Sequence, residues 1–118
     1  YESAAALTSI LADVPVHVIP CIERRLEGVP LVASASAWAS IIPAAWSFLL
    51  ALRSRGLGSV WTTLHLAKAD EVAELLGIPD TVTQVALFPV AYTIGTDFKP
   101  AVRPPVDTIT SWNSWGGG

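Results

Sequence analysis

Arg53-Ser-Arg-Gly-Leu-Gly-Ser-Val-Trp-Thr-Thr-Leu-His65 is the stretch on which the fold of this chain turns. A charge-free run from Leu31 to Leu52 leads into it, and Leu75-Leu-Gly-Ile-Pro79 follows shortly after. The apolar run reads as a long helix whose last turn carries Arg53 and Arg55, cations suited to the negative end of the helix dipole. Gly56 is the natural C-cap, because glycine takes the left-handed conformation without a Cβ penalty. Val60 to Leu64 then reads as a strand, closing on the paired hydroxyls of Thr62 and Thr63 and on His65.

Working outward, Ser34 and Ser36 offer an N-cap for the long helix. Pro43 removes one of its backbone donors and predicts a kink near Ser40. Upstream, Glu2 to Leu11 has a helical apolar pattern (Ala4, Ala5, Leu7, Ile10, Leu11). Val14 to Ile22 reads as a buried strand whose Pro15 and Pro20 mark its ends or an unpaired side. Glu23 to Pro30 is a charged loop. Downstream, Ala67 to Leu76 predicts a helix with Val72, Ala73, Leu75 and Leu76 on its buried face, capped by Gly77 and stopped by Pro79. Thr81 to Tyr92 predicts a strand interrupted by Pro89. Thr93 to Pro105 is loop-like, Val106 to Trp112 allows a short extended piece, and residues 115–118 form a flexible tail.

Composition narrows the function. The 118 residues suffice for one small domain, here 1–118 as a whole. Hydrophobic residues make up 52% and charged ones 14%, well below the roughly 25% charge of a soluble domain. Such a chain buries surface in a partner or sits near a membrane. The net charge is −3 and the basic residues are scattered, which argues against nucleic acid. Cys21, the single cysteine, reads as a small buried core residue, and its isolation fits a reducing, cytoplasmic setting. His17 and His65 lie in separate segments without metal-ligand spacing, and no nucleophile motif is present. Asp70, Glu71 and Glu74 read as a solvent face. The stretch from Leu31 to Leu52 is long enough to cross a bilayer, yet its serines, alanines and central proline favour a helix buried all round by protein. A second subunit or a further segment of chain must then cover it. Trp38 and Trp46 fit such a core or interface, and Trp112 and Trp115 fit a tail that anchors elsewhere.

The order of elements, with Gly-Leu-Gly-Ser at 56–59, Leu-Leu-Gly-Ile-Pro at 75–79, Pro-Val-Ala-Tyr at 89–92 and Pro-Ala-Val-Arg-Pro at 100–104, resembles the C-terminal half of the FMN-dependent nitroreductase family over roughly residues 10–112. The resemblance implies an α+β fold with a mixed, largely antiparallel sheet flanked by helices. It implies a homodimer formed through the long helix, with a C-terminal extension reaching the other subunit and FMN at the interface. The implied reaction is a ping-pong transfer from NAD(P)H through FMN to a nitroaromatic, quinone or related small-molecule acceptor. No catalytic side chain and no metal are implied. A non-catalytic, flavin-sequestering member and a membrane-associated fragment are the alternative readings.

The same resemblance names the cofactor-binding candidates. The strand after Gly-Leu-Gly supplies contacts to the flavin ring, which here means the backbone around Leu64 and His65 with the hydroxyls of Thr62 or Thr63 as helpers. As sequence alone, the threonines are equally good strand formers, and His65 a surface or capping residue. Arg103 sits where the family places a phosphate-binding arginine, a guanidinium suited to that anion, and is otherwise a solvated loop residue. Two positions earlier, where family members often carry another basic residue, stands Ala101, with Lys99 the nearest substitute. The family's arginine-rich phosphate motif and much of its flavin pocket belong to an N-terminal half that Tyr1 to Leu11 does not replace. The isolated chain is therefore expected to bind FMN poorly without that segment.

Overall fold

The computed structural model describes residues 2–95 and 97–116. Three helices, α1 (Glu2–Ile10), α2 (Leu31–Ser54) and α3 (Ala69–Leu76), accompany five short strands, β1 (Val16–Val18), β2 (Cys21–Ile22), β3 (Leu57–Ser59), β4 (Thr83–Gln84) and β5 (Phe88–Tyr92). The strands form a three-stranded sheet in the order β1-β5-β3 and a two-stranded ribbon β2-β4, all pairs antiparallel. This is the expected α+β class.

Prolines explain why the expected strands come in pieces. Val14 to Ile22 divides into β1 and β2 at Ile19 and Pro20, and the Pro20 carbonyl accepts from the Val85 amide at 2.9 Å between the two ladders. Pro89 lies inside β5, the central strand, opposite His17 of β1. Hydrogen-bonded and non-bonded pairs alternate along an antiparallel ladder. The register Leu57↔Tyr92, Gly58↔Ala91, Ser59↔Val90 extends to Val60 opposite Pro89 and Thr62 opposite Leu87. Thr62 and Leu87 exchange both main-chain bonds (3.2 and 2.8 Å), so the missing donor of Pro89 falls at Val60. The expected strand Val60 to Leu64 is thereby cut down to a single bridge at Thr62, and Leu64–Lys68 turns into a 3-10 helix.

α2 starts earlier than the serines suggested. Pro30 is its N-cap residue, and its carbonyl accepts from the amides of Ala33 and Ser34. Ser34 and Ser36 instead donate back to the carbonyls of Leu31 and Val32, as Ser40, Ser47 and Ser54 do to Ala37, Pro43 and Ala51. Each serine hydroxyl is thus satisfied within the helix, leaving the outer surface of α2 without projecting polar demand. The helix continues through Pro43 to Ser54. Gly56 (φ 76°) and Gly77 (φ 67°) hold the left-handed positions after α2 and α3, and the Ile78 amide reaches back to the Ala73 carbonyl at 2.9 Å. That 6→1 bond is the Schellman closure.

The core gathers Ala45 and Leu52 of α2 against Val85, Ala86, Phe88 and Val90. Phe88 is its centre, stacked on Phe48 (centroids 6.1 Å apart) and tilted against Trp61 (5.1 Å). Gly58 passes so close to the Thr93 methyl that no Cβ fits there.

Several expected burials are not met. Cys21 is exposed, because β2 turns its neighbour Ile22 toward the core; partial burial still raises its thiol pKa. Leu75 and Leu76 are exposed, since α3 packs through Val72 and Ala73. α2 is not buried all round: Leu31, Val32, Trp46 and Leu50 are exposed beside the buried Ala37, Ala45 and Leu52. Among the described residues it is one helix long and apolar enough to span a membrane. Trp38 is half-buried, while Trp112 and Trp115 are exposed. Val106–Ile109 forms a 3-10 turn rather than an extended piece. Of the tail expected at 115–118, Gly117 and Gly118 lie outside the described residues.

Candidate functional site

The turn that follows Gly56-Leu-Gly-Ser59 builds the site. Thr62 is fixed through its main chain to Leu87, and the chain then winds into the Leu64–Lys68 3-10 helix, which runs directly into α3. The bend aims Thr62, Leu64 and His65 at one pocket of about 260 Å³, whose remaining walls are Leu7, Thr8 and Leu11 from the N-terminal helices and Leu87. The lining is aliphatic, interrupted by two hydroxyls and one imidazole. A site of that kind holds an apolar body while a few polar groups set its orientation.

His65 is half-buried, and both ring nitrogens are shielded from solvent without a hydrogen-bond partner. Burial lowers its pKa below the usual histidine value, and the nearby Gln84 side chain partly opposes this. The ring is therefore predominantly neutral near pH 7, carrying one donor and one acceptor. Thr63, one residue before the 3-10 helix, is exposed and makes no side-chain capping bond. Lys99 and Arg103 lie on the exposed segment after β5 and take no part in this pocket's lining. That segment touches α2 through Phe98, whose ring lies 4.9 Å from the Arg53 guanidinium carbon.

A second, wider hollow of about 540 Å³ opens beside Leu66 and Trp38, with Arg25, Asp70, Asp80 and Gln84 among its walls. Arg25 is committed there, bonded twice to Glu27 and once to the Val82 carbonyl. Among the described residues no group of three histidine, cysteine or acidic side chains is placed to hold a metal.

The sequence profile of the nitroreductase family matches residues 3–92. The chain belongs to the nitroreductase family. A relative from Methanothermobacter thermautotrophicus (strain Delta H), named "Putative NADH dehydrogenase/NAD(P)H nitroreductase", is 30% identical over 87 residues, covering 71% of this chain and 43% of the relative. Among solved structures, a nitroreductase-like family protein from Bacillus cereus superposes with a TM-score of 0.68 at 19% identity, over 96% of this chain and 61% of that one. The chain thus spans about half the length of these proteins. The second match shows the fold alone.

Family membership makes FMN the group to test against these residues. The Thr62–His65 turn presents an aliphatic wall and two imidazole nitrogens without hydrogen-bond partners, the two kinds of group a flavin ring would need. The phosphate is answered less fully, since Lys99 and Arg103 stand on the exposed segment outside the pocket wall. Sequence reasoning missed Leu7, Leu11, Leu87 and Gln84. Gln84 left one signal, a lone amide in the apolar run Val82 to Val90. The others were invisible because their place depends on how α1 and β5 pack.

Proposed function

We propose that this chain is the C-terminal portion of a cytoplasmic, FMN-dependent NAD(P)H oxidoreductase that reduces nitroaromatics, quinones or related small-molecule acceptors. The observation that carries the reading is the convergence of Thr62, Leu64 and His65 on one aliphatic pocket, at the turn after Gly-Leu-Gly, in a chain of this family. FMN, when bound, supplies the hydride and electron chemistry.

The protein's residues bind and orient. Leu7, Leu11, Leu64 and Leu87 would exclude water from a ring held in this pocket. The main-chain lock between Thr62 and Leu87 fixes the turn so that its polar groups do not have to reorganise. Thr62 would offer a hydroxyl and neutral His65 one donor or acceptor to the ring, while Thr63 lies outside the pocket lining. Lys99 and Arg103 serve the phosphate once their segment is brought over a flavin site, in this subunit or its neighbour. No side chain acts as a nucleophile in this scheme.

The partner reading is a homodimer completed by an N-terminal segment. The chain exposes 9216 Å², against roughly 6,200 Å² for a compact monomer of this mass. Its radius of gyration is 17.5 Å, where about 13–14 Å is usual for this length. The excess of roughly 3,000 Å² on one chain exceeds the roughly 1,000–2,500 Å² that each partner buries in most permanent interfaces, enough for a second copy and a further segment of chain together. The apolar outer face of α2, with Trp46 and Leu50, is the place a second copy would cover.

Colour tests the central claim. The intact assembly should be yellow, with a flavin absorption band that NAD(P)H bleaches when oxygen is excluded. A colourless protein that gains no absorbance with added FMN overturns the reading. Bound flavin that NAD(P)H leaves oxidised points instead to a flavin-sequestering member of the fold.

A further inference from the structure

Gln84 is a buried polar side chain, only 7% exposed, in the ribbon strand β4. Its amide nitrogen donates to the Ala69 carbonyl at 2.8 Å, at the junction between the Leu64–Lys68 turn and α3. That bond sets the plane of the amide. Its oxygen has no partner, and neither do the two ring nitrogens of His65. Both residues belong to one locality, since Gln84 is tied to Ala69 at the end of the turn that carries His65, and the Gln84 side chain influences the imidazole in the sense that favours a proton on the ring. With the amide nitrogen committed to Ala69, the oxygen is the end of the amide left without a partner. The approach stops short of hydrogen-bond geometry, so three buried polar atoms stay unsatisfied until a small rotation or a ligand completes the set. Unsatisfied buried groups of this kind are costly and call for an explanation.

We propose that Gln84 is a positioning residue for His65: its amide oxygen selects one imidazole tautomer and leaves the other ring nitrogen as an acceptor facing the pocket of Leu7, Leu64 and Leu87, for an N–H group of the ligand. The hydrogen bond made by one imidazole nitrogen decides the role of the other. Burial of the ring keeps it neutral, which is the condition under which tautomer choice matters. Gln84 itself also borders the Trp38 hollow, outside the walls of the His65 pocket. It therefore acts through His65 rather than by touching the ligand. The ligand part of this inference rests on the flavin reading, in which the donor is the imide N–H of the ring.

Nitrogen-15 NMR of the histidine ring in the intact protein, assigned by comparison with a His65→Gln variant, tests the positioning directly. In the wild type His65 should show one protonated and one bare nitrogen, a single tautomer. In Gln84→Leu both tautomers should become comparably populated, with FMN affinity about tenfold weaker. Gln84→Glu keeps an acceptor for the ring N–H while giving up the donor to Ala69, and should hold the ring proton to higher pH. A mixed tautomer population in the wild type, or no change in Gln84→Leu, overturns the proposal. Should Gln84→Leu fail to fold, the wild-type spectrum and Gln84→Glu still decide. A tautomer change in a protein that takes up no FMN upholds the positioning and removes the flavin reading instead.

Discussion

Thr62 and Leu87 face one another across a register that Pro89 interrupts, and they restore it by exchanging both main-chain hydrogen bonds. The pair sets where the sheet ends and the site begins. On one side of it Trp61 leans on the core ring of Phe88; on the other the chain bends toward His65. Stability and site geometry therefore meet at these residues, and substitutions should separate the two.

Phe88→Ala should cost about 3–5 kcal/mol, the usual loss for deleting a fully buried ring. Phe88 is 1% exposed and touches both Phe48 and Trp61. Urea unfolding of the intact protein measures the loss. A change below about 1 kcal/mol would show that the core lies elsewhere.

Gly58→Ala should destabilise by about 1–3 kcal/mol, the range for overpacking. The new methyl meets the Thr93 Cγ2 atom, and Thr93 cannot swing away without losing its 2.8 Å bond to the Gly95 carbonyl. Adding Thr93→Ser removes that methyl and keeps the hydroxyl, so the double variant should recover most of the loss. Thermal unfolding of the four members of the cycle checks it.

His65 should make stability depend on acid. Burial holds its folded pKa below the unfolded value of about 6.5. The unfolded chain therefore binds the proton more readily. The penalty is absent above about pH 6.5, grows as pH falls from there toward the folded pKa, and is constant below it. His65→Gln should flatten the slope between the two values in urea midpoints collected across pH. An unchanged slope would place the effect on another group.

Arg103→Ala should weaken FMN binding by roughly 10–100-fold, the loss of one charge-assisted contact of about 1.5–3 kcal/mol. Arg103→Lys should fall between, because an ammonium keeps the charge and loses the fork. Flavin fluorescence titration of the intact assembly reads both. Equal affinity in all three proteins would return Arg103 to an ordinary solvated loop residue.

Leu50→Lys should leave the monomer folded, since Leu50 is 56% exposed, yet weaken self-association by at least about tenfold through burial of an unpaired charge. Sedimentation across a concentration series measures it. Retention of the wild-type profile would move the interface off this face of α2.

The long helix α2 and its stop at Gly56 were legible in the residues because local chemistry decides them, whereas β3 falls at Leu57–Ser59, ahead of the strand expected at Val60 to Leu64. A serine-bearing apolar run satisfies its own hydroxyls inside a helix, and only glycine ends that helix at positive φ without strain. Family membership followed from the same short motifs read in order. The strand expected at Val60 to Leu64 was not legible, because its loss depends on Pro89, a residue in another segment whose missing donor falls opposite Val60. Cys21, Leu75 and Leu76 were expected inside for their apolarity alone, but which side of a two-residue strand or a short helix meets the core is a matter of packing.

By itself, the sequence determined the three helices and the left-handed caps at Gly56 and Gly77, since these follow from apolar periodicity and backbone sterics. Only the tertiary structure decided that Gln84 is bonded to Ala69 at the end of the His65 turn, that α1 walls the pocket beside Leu64, and that α2 leaves Trp46 and Leu50 uncovered. Those are relations between segments distant along the chain, set by which surfaces exclude water together, and no local pattern encodes them.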